Sequence, residues 1–293
     1  MNIGLIAILG RPNVGKSTFL NAVLSKKISI VSPKAQTTRD AIMGIYSSKD
    51  TQLVFVDTPG IYFGDQKLDS HMRRQAFSSA REVDAILYLI DASVSSLEDD
   101  IKIIRSISSE APRILVLNKI DKITIEEGME KVKTLQEAFP DDQILQTSFL
   151  ENFGIKEVKD AIAPYLTEGD PLFPEEMITD KGLDYQCKEI IREKCLHFLR
   201  DEIPHQSAIR IDRLNVERGV IYLEATIIVE KESHKAIVIG KGGAMIKKIS
   251  MAARQEMERM FHQKVALLTL KAEAIPGWRN SPKVLAQLGY GDK

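Results

Sequence analysis

Residues 9–18 read LGRPNVGKST, between the apolar run GLIAIL (4–9) and the helix-patterned STFLNAVLS (17–25). Gly10, Gly15, Lys16 and Ser17 satisfy the pattern G-x-x-x-x-G-K-[ST], in the strand-to-helix context that gives this pattern its meaning. Glycine lets consecutive backbone N–H groups turn inward and lets an anion approach the chain closely. The helix that follows adds the positive end of its dipole. The loop formed by Gly10, Arg11, Pro12, Asn13, Val14, Gly15, Lys16, Ser17 and Thr18 is therefore a phosphate cradle. Lys16 is placed to reach the outer phosphates, and the Ser17 hydroxyl to ligate Mg²⁺.

A strand, a turn and a helix recur downstream. Apolar runs QLVFV (52–56), AILYLI (85–90), RILVL (113–117) and QILQT (143–147) alternate with helical patterns at about 66–82, 97–109, 125–139 and 154–166. This is the signature of a mostly parallel sheet flanked by helices, an α/β fold. Residues 41–56 differ: two strands flank Lys49-Asp50 as an antiparallel hairpin at one sheet edge. Residues 167–181 carry Gly169, Pro171 and Pro174 among acidic residues and read as a linker. The expected organisation is a first domain over 1–170, a linker over 171–180 and a second domain over 181–293.

Charge divides at the same place. Residues 1–179 carry 20 Lys+Arg against 26 Asp+Glu, and residues 180–293 carry 20 against 15. The basic second half suits a polyanionic partner, although ordinary scatter in surface charge gives the same imbalance. Its predicted order is a helix over 189–203, a hairpin around Glu217-Arg218-Gly219, a short helix over 233–239, a long helix over 244–261 and a last strand from Lys264. Ile221, Leu223, Ala225, Ile227 and Val229 alternate on one strand face. Cys187 and Cys195 lie about 12 Å apart at the helical rise, too far for a mutual disulfide, and read as core thiols of a reducing compartment. The apolar opening MNIGLIAILG lacks a basic flank and a cleavage site, so it reads as a buried strand, not a signal peptide. No run reaches the length of a membrane span.

Two more elements end strands. In Asp57-Thr58-Pro59-Gly60 a carboxylate can hold Mg²⁺ through water, and the Gly60 N–H can reach a γ-phosphate. In Asn118-Lys119-Ile120-Asp121 the Asp121 carboxylate can accept both guanine donors, N1–H and the N2 amine. Adenine would face the same carboxylate with a lone pair, and a buried group left unpaired discriminates strongly. The Lys119 stem can cover the base plane.

GRPNVGKST, QTTRD (36–40), DTPG and NKID together resemble the five-box GTPases of the bacterial Era-type branch. The fifth box is Thr147-Ser148-Phe149, where relatives usually read Ser-Ala. The resemblance implies backbone contact from Ser148 to the guanine O6. It implies that Thr38 ligates Mg²⁺ only when a γ-phosphate is present, which makes residues 30–42 and about 61–70 the switch segments. GTP or GDP and Mg²⁺ are the expected cofactors. Many GTPases orient the attacking water with Gln directly after DxxG, but this chain has Ile61. Catalysis must then rest on Lys16, Thr38, Gly60 and Asn13. The resemblance assigns Asn13 a K⁺ that acts where an arginine finger would; the alternative is a turn-capping side chain.

The second half carries VIGKGGAMIKKI (238–249). Gly240-Lys241-Gly242-Gly243 lacks the G-K-[ST] ending and lies between helices. A G-x-x-G turn in a three-helix, three-strand unit is the backbone clamp of a KH domain. With EIIREK (189–194), it resembles the type II KH domain that ends Era-type chains. Ile237, Ile239 and Ile246 would face bases, while Lys241, Lys247 and Lys248 attract phosphate. Trp278 either stacks on RNA or closes the core, and the core is preferred. The family binds the 3′ end of 16S ribosomal RNA and assists 30S assembly. The implied protein is a cytoplasmic monomer, with peripheral inner-membrane association also implied. Two rivals remain: a constitutive RNA-binding protein with a structural nucleotide, and a P-loop enzyme using ATP or a nucleoside kinase.

Overall fold

A computed structural model describes residues 1–31, 39–61, 67–80 and 82–290, the side chains of Arg73 and Gln75 excepted. The chain divides into two compact units: of the described residues, 1–31, 39–61 and Met72–Asp180 make the first, and 67–71, the start of a helix, group with 181–290 in the second.

The first unit is a sheet with helices on both faces. β1 (Asn2–Gly10) leads into α1 (Lys16–Leu24), and β2 (Ile42–Ser47) and β3 (Thr51–Asp57) form the expected edge hairpin. There follow α2 (Lys67–Ser78), β4 (Ala85–Asp91), α3 (Glu98–Ser106), β5 (Arg113–Asn118), α4 (Ile125–Ala138), β6 (Gln143–Thr147), α5 (Ile155–Ile162) and β7 (Thr167–Glu168). The strand order is β2-β3-β1-β4-β5-β6; β1, β3, β4, β5 and β6 run parallel and β2 antiparallel. Strand order reverses at β1, with β3 on one side and β4 on the other. The crevice beyond the carboxyl ends of these strands is where such sheets bind ligands.

The central strands β3, β4 and β5 and the second half of β1 are buried on both faces, so they read as continuous apolar runs, whereas the edge strand β6 is partly exposed. Ala7, Leu9, Ile86, Tyr88, Ile90, Leu115 and Leu117 pack in one core with Ala76, Ile103, Ile104 and Leu135 from the helices. Phe19 of α1 meets Phe55 edge-on at 5.4 Å and Phe149 at 4.8 Å. The last helix is shorter than its pattern: α5 ends at Ile162, and Pro164 lies in the 3-10 turn after it.

The segment expected to be a linker is bonded to the first unit. β7 pairs with Asn2 and Ile3, and Gly169 exchanges hydrogen bonds with Met1. The Gln52 side chain brackets Phe173, accepting from its N–H and donating to its carbonyl. Ile45 N–H donates to Ile178 O at 2.9 Å, and Met43 N–H donates to Asp180 at 2.9 Å. These contacts occupy the outer edge of β2, whose backbone groups would otherwise be open to strand pairing.

The second unit contains α6 (Leu183–Phe198), β8 (Ala208–Glu217), β9 (Val220–Val229), α7 (Glu232–Ile239), α8 (Ala244–Phe261), β10 (Lys264–Ala274) and α9 (Pro282–Gln287). β9 is central, antiparallel to β8 and parallel to β10. Arg218 and Gly219, both with positive φ, make the tight hairpin turn. Ile221, Leu223, Ala225, Ile227 and Val229 are fully buried against Cys187, Ile191 and Cys195. α6 starts six residues before the predicted 189 and stops at Phe198. The apolar stripe already begins at Leu183 and Cys187, and Leu199 turns extended before Pro204. Trp278 is fully buried and donates to Gln206 O at 3.0 Å, so it closes the core. Burial pushes both thiols up to about 12. Among the described residues no helix is long and apolar enough to cross a membrane.

Candidate functional site

Four loops converge beyond the carboxyl ends of β1, β3, β5 and β6. The loop from Gly10 to Gly15 turns on positive φ at Gly10, Asn13 and Gly15. Gly15 is required twice over: its φ is +110°, and a Cβ there would lie 2.3 Å from Asn118 Nδ2. Lys16 curls back over the loop, donating to Gly10 O at 3.0 Å and Arg11 O at 2.7 Å. Burial lowers its ammonium to about 8, although Asp57 and Asp100 pull the other way. A cation held in this way meets a phosphate with little solvent screening.

Ser17 Oγ donates to Asp57 Oδ2 at 2.9 Å, and Ser29 Oγ reaches the same oxygen at 3.2 Å. Asn21 fixes Ser29 in place, accepting from Ile28 and Ser29 N–H and donating to Ser29 O. Hydroxyl and carboxylate oxygens so grouped are hard donors of the kind Mg²⁺ takes. Thr38, the third predicted Mg²⁺ ligand, lies outside the described residues, as do 32–37 and 62–66 of the predicted switch segments. Thr58 is bonded inward to Ile8 O at 2.7 Å, so it supports the loop from behind. After Pro59 and Gly60, Ile61 N–H donates to Gly10 O at 3.1 Å, tying the DTPG turn to the start of the glycine loop. The Ile61 side chain is 2 % exposed and belongs to the core.

Asn118 and Lys119 brace the loops. Asn118 Nδ2 donates to Val14 O at 2.8 Å, while its Oδ1 accepts from Thr147 Oγ1 and Phe149 N–H. Lys119, in the left-handed region at φ 66°, donates to Asn13 O at 2.5 Å. Asp121 accepts from Ser148 Oγ at 2.5 Å, which orients the carboxylate. The fifth box differs from expectation. Ser148 N–H is taken by Phe153 O at 3.1 Å in a small antiparallel bridge, so Ser148 acts through its hydroxyl on Asp121. Phe149 is buried against Phe19, which explains an aromatic residue here.

Arg11 of the glycine loop joins a network with Asp99, Asp100 and Tyr88, which lie outside the five boxes. Arg11 pairs with Asp99 at 3.5 Å and Asp100 at 3.4 Å, and Asp100 accepts from Tyr88 OH at 3.1 Å. Burial raises the Asp100 carboxyl above its ordinary value, and Arg11 opposes this. Pro12 and Thr18 sit half-buried in the glycine loop and the first turn of α1; Asn13 is exposed at the crest.

In the second unit, Gly240, Gly242 and Gly243 all have positive φ, between 60° and 80°. A Cβ on Gly242 or Gly243 would meet nothing within 4 Å. At Gly242 and Gly243 the turn is open toward solvent, whereas a Cβ on Gly240 would lie 2.8 Å from Met245 Cβ, so Gly240 serves close packing and the other two serve access. Lys241, Lys247 and Lys248 are exposed beside it, and Lys248 Nζ lies 4.4 Å from the Phe198 ring centroid. Ile237 is half exposed, while Ile239 and Ile246 are intermediate. An exposed isoleucine beside a glycine turn offers an apolar face to a base.

A glycine loop at the β1–α1 turn, an NKxD turn at the end of β5 and a parallel-sheet crevice define a P-loop GTPase, here joined to a KH domain. A family model described as "50S ribosome-binding GTPase" matches residues 5–119, and a KH domain model matches residues 197–274. GTPase Era of Clostridium kluyveri is 44% identical over 294 residues, covering 98% of both chains. A variant of Aquifex aeolicus Era bound to GDP·AlF4⁻ superposes with a TM-score of 0.95 at 37% identity, with full coverage of both chains. Era in complex with MgGDPNP and nucleotides 1506–1542 of 16S ribosomal RNA superposes with a TM-score of 0.93, also at 37% identity and full coverage. The chain belongs to the Era family of GTPases.

Proposed function

We propose that this GTPase is a nucleotide-controlled switch that binds the 3′ end of small-subunit ribosomal RNA and assists 30S subunit assembly in the cytoplasm. The observation that carries the reading is the full-length likeness to the Era complex holding both MgGDPNP and 16S RNA. The "50S" description belongs to a model matching only residues 5–119, outside the KH half. The whole-chain relative is the better guide to the RNA.

In this reading, Lys16 and the backbone of Gly10–Ser17 hold the β- and γ-phosphates. Ser17 and Thr38 would ligate Mg²⁺ directly, and Asp57 through water. Held there, Mg²⁺ would supply charge neutralisation for the phosphates. Asp121, held by Ser148, selects guanine, and the Lys119 stem lies over the base. Asn118 joins the glycine loop to the base-binding turn. Gly60 N–H donates to the γ-phosphate, and Asn13 is assigned the K⁺. Ile61 supplies no polar group to the attacking water, so positioning and electrostatics carry hydrolysis, and intrinsic turnover is slow. In the KH unit, Gly240–Gly243 lie along the RNA backbone, with Ile237, Ile239 and Ile246 against bases. Lys241, Lys247 and Lys248 add salt-dependent affinity.

The test is Gly243→Asp, which puts a carboxylate into the open space before the turn. RNA affinity falls by at least about tenfold while GDP affinity is unchanged. Undiminished RNA binding by a folded variant would remove the turn from the interface.

A further inference from the structure

Asp91 is the last residue of β4 and belongs to none of the five boxes, yet it is bonded into the site. In the parallel register it lies directly opposite Asn118. Asp91 Oδ2 accepts from Lys119 Nζ at 2.5 Å, and the same nitrogen donates to Asn13 O at 2.5 Å. The other carboxylate oxygen accepts from Ser93 N–H at 2.9 Å and Ser93 Oγ at 2.7 Å. Next to it, Ala92 N–H donates to Asn118 O at 2.8 Å. The carboxylate is thus fixed from its far side, and one ammonium spans from it to the glycine loop.

We propose that Asp91 is a positioning residue for nucleotide retention, holding Lys119 across the glycine loop so that its stem already lies along the base-binding turn. This rests on the assignment of the loop cluster as the GTP site. A lysine stem is long and flexible, and ordering it at the moment of binding costs affinity. Asp91 and Asn13 O order it beforehand. Ser93 keeps the carboxylate from following if Lys119 moves, so the anchor is rigid. The side chains of Asp91 and Lys119 are 17% and 23% exposed, and partly exposed pairs contribute little to global stability. Removal of Asp91 should therefore appear in nucleotide release more than in the unfolding midpoint.

The experiment follows dissociation of fluorescent GDP from the full chain, with Mg²⁺, by stopped flow. Asp91→Ala should release GDP about fivefold faster, as expected for loss of one charge-assisted contact. Asp91→Asn, whose amide oxygen still accepts from Lys119, should fall between it and the parent. In a Lys119→Ala background, Asp91→Ala should add nothing. Asp121→Asn serves as the control on the site itself. If that control leaves GDP affinity intact, the assignment of the GTP site fails. If the control weakens GDP and Asp91→Ala leaves release unchanged, the positioning role is overturned. It is equally overturned if Asp91→Ala accelerates release to the same extent without Lys119.

Discussion

Replacing Ile61 with glutamine would restore the residue that many GTPases place after DxxG, and the structure forecasts that it fails. Ile61 is 2 % exposed and packs with Leu9, Ile86 and Tyr88. Its N–H is bonded to Gly10 O, so the backbone is pinned and the side chain points into the core. A glutamine amide there loses its water without gaining partners, which costs roughly 1–3 kcal/mol, and the lost apolar burial adds to this. The total is about 3 kcal/mol. For a unit of this size, each kcal/mol lowers the midpoint by roughly 2–4 °C, so the first unit should melt about 6–12 °C earlier. Single-turnover hydrolysis of GTP, measured below that midpoint, should stay within about twofold of the parent, because transition-state stabilisation is unchanged. The assays are thermal unfolding of the GDP-bound chain and phosphate release under single-turnover conditions. An Ile61→Gln variant that hydrolyses GTP about tenfold faster at an unchanged midpoint would show that the introduced amide reaches the nucleotide and is not held in the core.

Asp121→Asn should weaken GDP by about 100-fold or more and favour xanthine nucleotides, whose C2 carbonyl accepts from the new amide; competition binding with GDP and XDP checks this. Trp278→Ala should destabilise the KH unit by about 3–5 kcal/mol while sparing GDP affinity, read by chemical unfolding alongside nucleotide titration. Cys187 and Cys195, whose thiols burial holds neutral up to about 12, should resist alkylation at about pH 8 until the chain is unfolded, followed by mass spectrometry. Hydrolysis should be faster in K⁺ than in Na⁺ at equal ionic strength, and equal rates would leave Asn13 only a turn-forming role.

The parts of the molecule that were legible in the sequence are those written in adjacent residues. The glycine loop, DTPG and NKID are short and sit at strand ends, so their chemistry and placement follow from a few neighbours. The G-x-x-G turn and α8 (244–261) were legible for the same reason. What was hidden depends on contacts distant in sequence. Asp91 gains its role from the β4–β5 register, and Asp100 from α3 packing over β4 beside Arg11. Ser29 becomes a partner of Asp57 because Asn21 fixes its backbone. The segment 171–180 has the composition of a tether, and its bonds to Gln52 and β2 appear only once the edge strand is in place. Proline, glycine and charge gave no hint of them.

In the proposed switch, the nucleotide held by one unit controls the RNA held by the other. The most direct test is the affinity of the chain for a short single-stranded RNA from the 3′ end of small-subunit ribosomal RNA. The titration is made at one fixed salt concentration, because phosphate contacts depend steeply on salt. It is run first with GDP and Mg²⁺, then with a nonhydrolysable GTP analogue and Mg²⁺. Binding should be at least about fivefold tighter with the analogue, the lower end of ordinary allosteric coupling. Equal affinity in the two nucleotide states would leave a GTPase and an RNA-binding domain that share a chain without sharing a switch.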